Sequence, residues 1–371
     1  MPYRLAKAMR AAILTLFVGS LILHACAEEP PIALGRSATF EARHELKINV
    51  PEGVKKLGVW FVLPQELPAQ KVSGLKIEAP YPYRTTKDSE GNSMLYMEVE
   101  QPKEKQLAIL CTFMLTRFEL NGNLDQTKAR ALTDAEREKL APYLGPNKNI
   151  VINDKIKELA NQIVGGEQNT IRAARKIYDW ELANVDYWVK DPATKKASPV
   201  GSSEYCLTTK TGNCTDFNSL WTALARAKGI PTRMFYGSFF KAELDGKDID
   251  NSYHCWLEFY AGGIGWIPHD VAVANIFIGE IKLTKENLTL VSRSTADGYK
   301  GPDPLKVEYY FGNLDERRVT WSTGRDLILE PKQQGEPVNA MIKAYVEVDG
   351  LPLAENKETG WARKLTYTEK K

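Results

Sequence analysis

"KTGNCTDFNSLWTALARAKGIPTR", residues 210–233, is the stretch whose reading decides the fold. Phe217, Leu220, Trp221 and Leu224 recur at i, i+3, i+4 and i+7, so the spacing predicts a helix over 214–228 with one buried stripe. Gly229 ends it and Pro231 blocks its continuation. At the other end a Thr-Gly-Asn turn offers Asn213 as cap and sets Cys214 in the first turn. Unpaired backbone N–H groups and the positive end of the helix dipole point there. Both favour thiolate, the nucleophilic form, and the same N–H groups can donate to an oxyanion forming beside the sulfur. A structural thiol or half of a cystine is the alternative at this point. Asp216, also in the first turn, reads as a dipole partner.

Three strand patterns follow: "TRMFYGSFF" (232–240), "SYHCWLEFY" (252–260) and "GWIPHDVAV" (265–273). A cysteine nucleophile needs a base, and the base needs an orienting group. An antiparallel hairpin centred on Gly262 would set His254 opposite Asp270 and Trp256 opposite Pro268. Strand alternation then sends His269 to the other face. A register slip of one residue would reverse that choice. By the same alternation Cys255 faces away from His254.

Helical patterns precede the cysteine, with Ile156, Leu159, Ala160 and Ile163 on one stripe and Ile171, Ala174, Ile177, Tyr178 and Leu182 on the next. Further upstream, "VKKLGVWFVLP" (54–64), "SMLYMEVE" (93–100) and "KQLAILCTFMLTRFEL" (105–120) read as strands of a small sandwich, with Cys111 as a core thiol.

"GNCTDFNSLWTALARAKGIPTR", "YHCWLEFY" and "GWIPHD" together resemble the three core motifs of the transglutaminase-like superfamily. The resemblance implies an α+β, papain-like core with helices packed on an antiparallel sheet, preceded by a β-sandwich-like N-terminal domain. It implies Cys214 as nucleophile, His254 as base and Asp270 as its orienter. The segments 57–77 and 309–350 are also similar to bacterial members. This chain departs from the family in carrying Val271-Ala272-Val273-Ala274 after the Asp and Asn218 where His is common. The expected division is a signal peptide (1–27), a β-rich domain (34–120), a connector (121–150), a catalytic domain with C-terminal extension (151–350) and a tail (351–371).

The chain has 371 residues, 43% of them hydrophobic, and a formal net charge of +2, with no footprint for nucleic acid. Arg4, Lys7 and Arg10 precede an apolar run over 11–23, the form of an export signal. Removing those three from 49 basic residues leaves 46 against 47 acidic ones. Ala25-Cys26-Ala27 suits cleavage after Ala27; Leu23-His24-Ala25-Cys26 suits a lipobox that would lipidate Cys26 and attach the chain to a membrane. Export points to the periplasm or envelope. There, Cys206 and Cys255 are candidates for a disulfide bracing the loop beside the nucleophile, with two free thiols as the alternative. A Cys206–Cys214 bridge would silence the enzyme. Zinc on Cys206, Cys214, His254, Cys255 and His269 lacks a C-x-x-C pair. Tyr205 and Trp256 are candidates to line a peptide groove; Arg317, Arg318 and Arg325 read as structural ion-pair formers. The expected activity is hydrolysis of a peptide or amide bond, with no cofactor. Protein cross-linking, or a binding module of the envelope without turnover, are the alternatives.

Overall fold

The computed structural model describes residues 32–371. The expected export signal and Cys26 lie outside the described residues. Six strands come first: β1 (Ala33–Asn49), β2 (Lys56–Val62), β3 (Gln70–Glu78), β4 (Tyr83–Lys87), β5 (Ser93–Glu100) and β6 (Gln106–Asn121). The helical part holds α1 (Asp134–Lys139), α2 (Asp154–Val164), α3 (Thr170–Asn184) and α4 (Ser203–Thr209), with short strands β7 (Asp186–Tyr187) and β8 (Thr211–Gly212) leading into α5 (Cys214–Ala227). Then come β9 (Thr232–Phe239), β10 (Tyr253–Ala261), β11 (Gly265–His269), α6 (Val271–Ile276), α7 (Leu288–Arg293) and α8 (Pro304–Tyr309). The chain closes with β12 (Asn313–Leu314), β13 (Arg318–Thr323), β14 (Ala344–Val348), β15 (Leu351–Pro352) and β16 (Trp361–Lys370).

The architecture is α+β. Alternating burial along β1 and β6 turns one face of each strand inward. Their sheet, β12-β6-β1-β16 with β3 also on β6, packs on a second sheet, β15-β14-β2-β5-β4. Leu46, Phe61, Leu95, Ile109 and Val346 fill the space between them. Cys111 is a fully buried thiol of this core, pushed up to about 12 by burial, as its strand position predicted.

The 351–371 segment, expected as a tail, is instead built into the sandwich. In β16 the residues Trp361, Arg363, Leu365 and Tyr367 alternate inward, and the strand pairs with β1 from Thr39↔Lys370 to Ile48↔Trp361. The 34–120 strands are therefore not self-contained: β14 and β16, from the far end of the chain, complete their sheets.

The other layer is the antiparallel sheet β11-β10-β9-β13 with helices on one face. α5 is buried from Cys214 to Arg226, its polar residues Asp216, Asn218 and Ser219 included, so packing encloses every face and not the apolar stripe alone. It packs beside β10, α2, α3 and α4 in one core with Trp221, Leu224, Leu257 and Phe259.

The hairpin differs from expectation by two residues. Leu257 pairs with His269 and Glu258 with Pro268, around a loop centred on Gly263. Gly263 has φ 79°, and a Cβ there would lie 2.5 Å from the Lys128 carbonyl, so the connector's close passage demands glycine. An even shift preserves parity, so Asp270 keeps the face of His254 and His269 takes the other.

Candidate active site

Local chemistry holds Cys214 at the start of α5. Asn213 is extended (φ −90°, ψ −175°), and its side chain accepts from the amides of Thr215 at 2.9 Å and Asp216 at 3.1 Å. The Asp216 carboxylate returns to the Asn213 amide at 2.9 Å, completing a reciprocal cap. It also accepts from the amides of Ser198 (3.0 Å) and Ser202 (2.8 Å), tying the preceding loop to the helix. Gly212 is required here: a Cβ would lie 2.3 Å from that of Asp216. Arg325 clamps the same loop from the C-terminal segment, donating to the carbonyls of Gly201 (2.9 Å) and Val200 (2.8 Å).

These caps correct one expectation. The first-turn amides are not open to the sulfur: the cap takes those of Thr215 and Asp216, and the Cys214 amide donates to the Tyr187 hydroxyl at 3.0 Å. Parallel pairing of β7 with β8 sets Tyr187 beside Gly212, which brings its ring to the cysteine.

The thiol is governed by two neighbours on β10. Burial pushes Cys214 up, but hydrogen bonds from Cys255 and His254, and the imidazolium charge, override it and bring the thiol well below its ordinary range. Burial and the adjacent Cys214 push Cys255 well above its own, so it stays a thiol. The expectation that Cys255 faces away is thus corrected: α5 abuts β10 closely enough for Cys214 to meet both consecutive residues. Asn218 fixes Cys255 by donating to its carbonyl at 2.9 Å and its sulfur at 3.2 Å.

The Cys206–Cys255 disulfide is corrected as well. Cys111, Cys206, Cys214 and Cys255 are all free. Cys206 sits in α4, where Glu181 and Asp216 act on it, while Cys255 is engaged with Cys214, Asn218 and Thr215.

His254 Nε2 lies 2.7 Å from Asp270 Oδ2, and both side chains are buried. Burial lowers the imidazole, but Asp270 and then Cys214 outweigh it and raise His254 to about 9. Burial pushes Asp270 up, and His254 and Arg318 bring it down to about 2. Asp270 also caps α6, accepting from the Val273 amide at 3.0 Å through its other oxygen. Fully buried Arg318 bridges Asp270 Oδ2 at 2.6 Å and Asp315 Oδ2 at 2.7 Å. Cys214 and His254 are thus both shifted toward their charged forms, and those forms alternate along the row: thiolate, imidazolium, carboxylate, guanidinium. In a dry site such alternation is strongly favoured over any member alone.

His269 is a core imidazole, as alternation predicted. Its ring lies 4.1 Å from that of Trp221, neither ring nitrogen has a hydrogen-bond partner among the described residues, and burial lowers it to about 3. The two groove candidates are not brought together. Tyr205 lines a cavity of about 460 Å³ with Asp186 and Lys210, whereas Trp256 lines another of about 280 Å³. Among the described residues no three or more of His, Cys, Asp and Glu gather as a metal-binding group. Among them, too, no helix is long and apolar enough to cross a membrane.

Sequence reasoning missed Tyr187, the proximity of Cys255, and the attachment of Arg318 to Asp270. Arg318 was expected as an ion-pair former, but nothing in the spacing ties it to a carboxylate 48 residues away.

Residues 157–271, which include Cys214, His254 and Asp270, match the family model of the transglutaminase-like superfamily. An uncharacterized protein of Haemophilus influenzae is 27% identical over 343 residues, covering 85% of this chain and 87% of its own. A solved structure from Cytophaga hutchinsonii, provisionally described as a cysteine protease, aligns with 91% of this chain and 100% of its own. Its TM-score is 0.53 at 17% identity, a likeness of fold.

Proposed function

We propose that this chain, with its transglutaminase-like domain, is an exported cysteine-dependent acyl-transfer enzyme that hydrolyses peptide or amide bonds through Cys214, His254 and Asp270. The observation that carries the reading is the 2.7 Å contact from His254 Nε2 to Asp270 Oδ2, which leaves Nδ1 for the sulfur side. The thiolate attacks the carbonyl carbon, and the C=O π pair moves onto oxygen. That oxygen takes the Cys214 amide from Tyr187, whose hydroxyl turns to donate to it. Burial and the nearby Cys214 keep the Tyr187 phenol protonated, and so a donor. The C–N bond breaks as His254 gives its proton to the leaving amine, forming a thioester. His254 then takes a proton from water, which attacks the thioester and restores the thiolate as the acid departs. The reading places the mature chain in the periplasm or envelope, with Cys26 as a lipid attachment point if the lipobox is used.

The test is incubation of the purified chain with envelope peptides in ¹⁸O-water, with and without a primary amine. Products carrying ¹⁸O, lost in Cys214→Ala, are expected. Amine-capped products without ¹⁸O would replace hydrolysis with cross-linking. An undiminished rate in Cys214→Ala would remove the nucleophile. No turnover, with Cys214 alkylated like a free cysteine, would leave a binding module.

A further inference from the structure

Between the N-terminal strands and the catalytic sheet lies a cavity of about 280 Å³ with Phe235, Trp256 and Trp266 in its walls. Arg117, on the inward face of β6, also lines it and is only 2% exposed. The other buried arginines each donate to a partner: Arg226 to the Thr232 carbonyl, Arg318 to Asp270, Arg325 to Gly201 and Arg363 to Asp250. Arg117 differs. Among the described residues none accepts a hydrogen bond from its guanidinium, and its Nε is sealed from solvent without a partner.

Asp315 and Glu258 favour the charge of Arg117 from a distance but accept no hydrogen bond from it: Glu258 Oε2 takes Arg233 at 2.6 Å, and Asp315 Oδ2 takes Arg318 at 2.7 Å. Burial and then the repulsion of Arg318 bring Arg117 to about 10, still charged at neutral pH. A buried guanidinium that donates to no protein group is unfavourable unless an anion or water meets its donors, and an anion answers the charge as well.

We propose that this cavity binds a small carboxylate with an aromatic or apolar body, its two oxygens taken by the Arg117 fork and its body packed against Phe235 and Trp256. The site is separate from the sulfur and stands whether or not Cys214 turns over. Trp256 lines the cavity, its ring 6.3 Å from that of His254.

Titration calorimetry of the full chain with N-acetylphenylalanine and its neutral amide tests this. Saturable binding of the acid, with the amide at least about 10-fold weaker, is expected from a bidentate charged contact. Arg117→Met should erase that preference and Arg117→Lys retain part of it. Should Arg117→Met fail to fold, the acid-against-amide comparison on the unaltered protein decides alone. Equal affinity for the two, binding of neither, or a preference that survives in folded Arg117→Met would overturn the proposal.

Discussion

Replacing Asp270 with Asn keeps the shape of the side chain and removes its charge. His254 stands at about 9 against an ordinary 6.5, although burial alone would lower it. The difference of about 2.5 pH units corresponds to about 3 kcal/mol of net preference for the imidazolium. The sign follows. A raised folded-state pKa contributes stability that is fully present below about 6.5 and lost as pH rises through about 9. Cys214 runs oppositely: its depressed value contributes stability present above the free-thiol value of about 8.5 and lost as pH falls through the folded one. Between the two lies the pH window of the thiolate–imidazolium pair. In Asp270→Asn the first cause raising His254 disappears while burial stays, so its pKa falls to the ordinary value or below. At pH 7.5 the imidazolium population drops about tenfold. The assay is the pH profile of kcat/KM beside that of iodoacetamide alkylation at Cys214, followed by intact mass. The alkaline limb should move down by at least about 2.5 pH units, and the midpoint of alkylation on the acid side should move up, narrowing the window from both ends. An alkaline limb still near 9 in a folded Asp270→Asn protein would refute the charge chain.

Tyr187→Phe should lower kcat by about 100- to 1,000-fold with little change in KM, as loss of one oxyanion donor does. Its iodoacetamide alkylation, which develops no oxyanion, should be unchanged; equal losses in both would make Tyr187 merely structural. Cys255→Ala removes a thiol that donates to the Cys214 sulfur, so the alkylation midpoint should rise, with a stability cost of about 1 kcal/mol by urea unfolding. Arg318→Met strips a fully buried cation from two carboxylates and should cost about 3–5 kcal/mol in the same measurement. It should also raise the Asp270 pKa, so that activity is lost on the acid side before the wild type loses it.

Much of the site was legible because its signals are local. The i, i+3, i+4, i+7 stripe, the Asn213 cap and Gly229 fix where α5 begins and ends, and so put Cys214 at its first residue. Alternation chose His254 with Asp270 over His269 even though the hairpin register was two residues off, because a face assignment survives any even slip. The cysteine pairing failed for the converse reason. An even number of thiols permits a bridge, but only positions in space determine which sulfurs meet.

Period and capping are properties of neighbouring residues, so the chain alone specified its elements, the thiol at a helix start, and the faces of the strands. Which partner each face meets is set by long-range packing. β16 closes the sandwich on β1, and β13 carries Arg318 to Asp270. Tyr187 reaches the Cys214 amide, and Arg117 comes to line a cavity with Phe235, Trp256 and Trp266. Charge states at the site depend on burial and on those partners together, and both exist only once distant segments have come into contact.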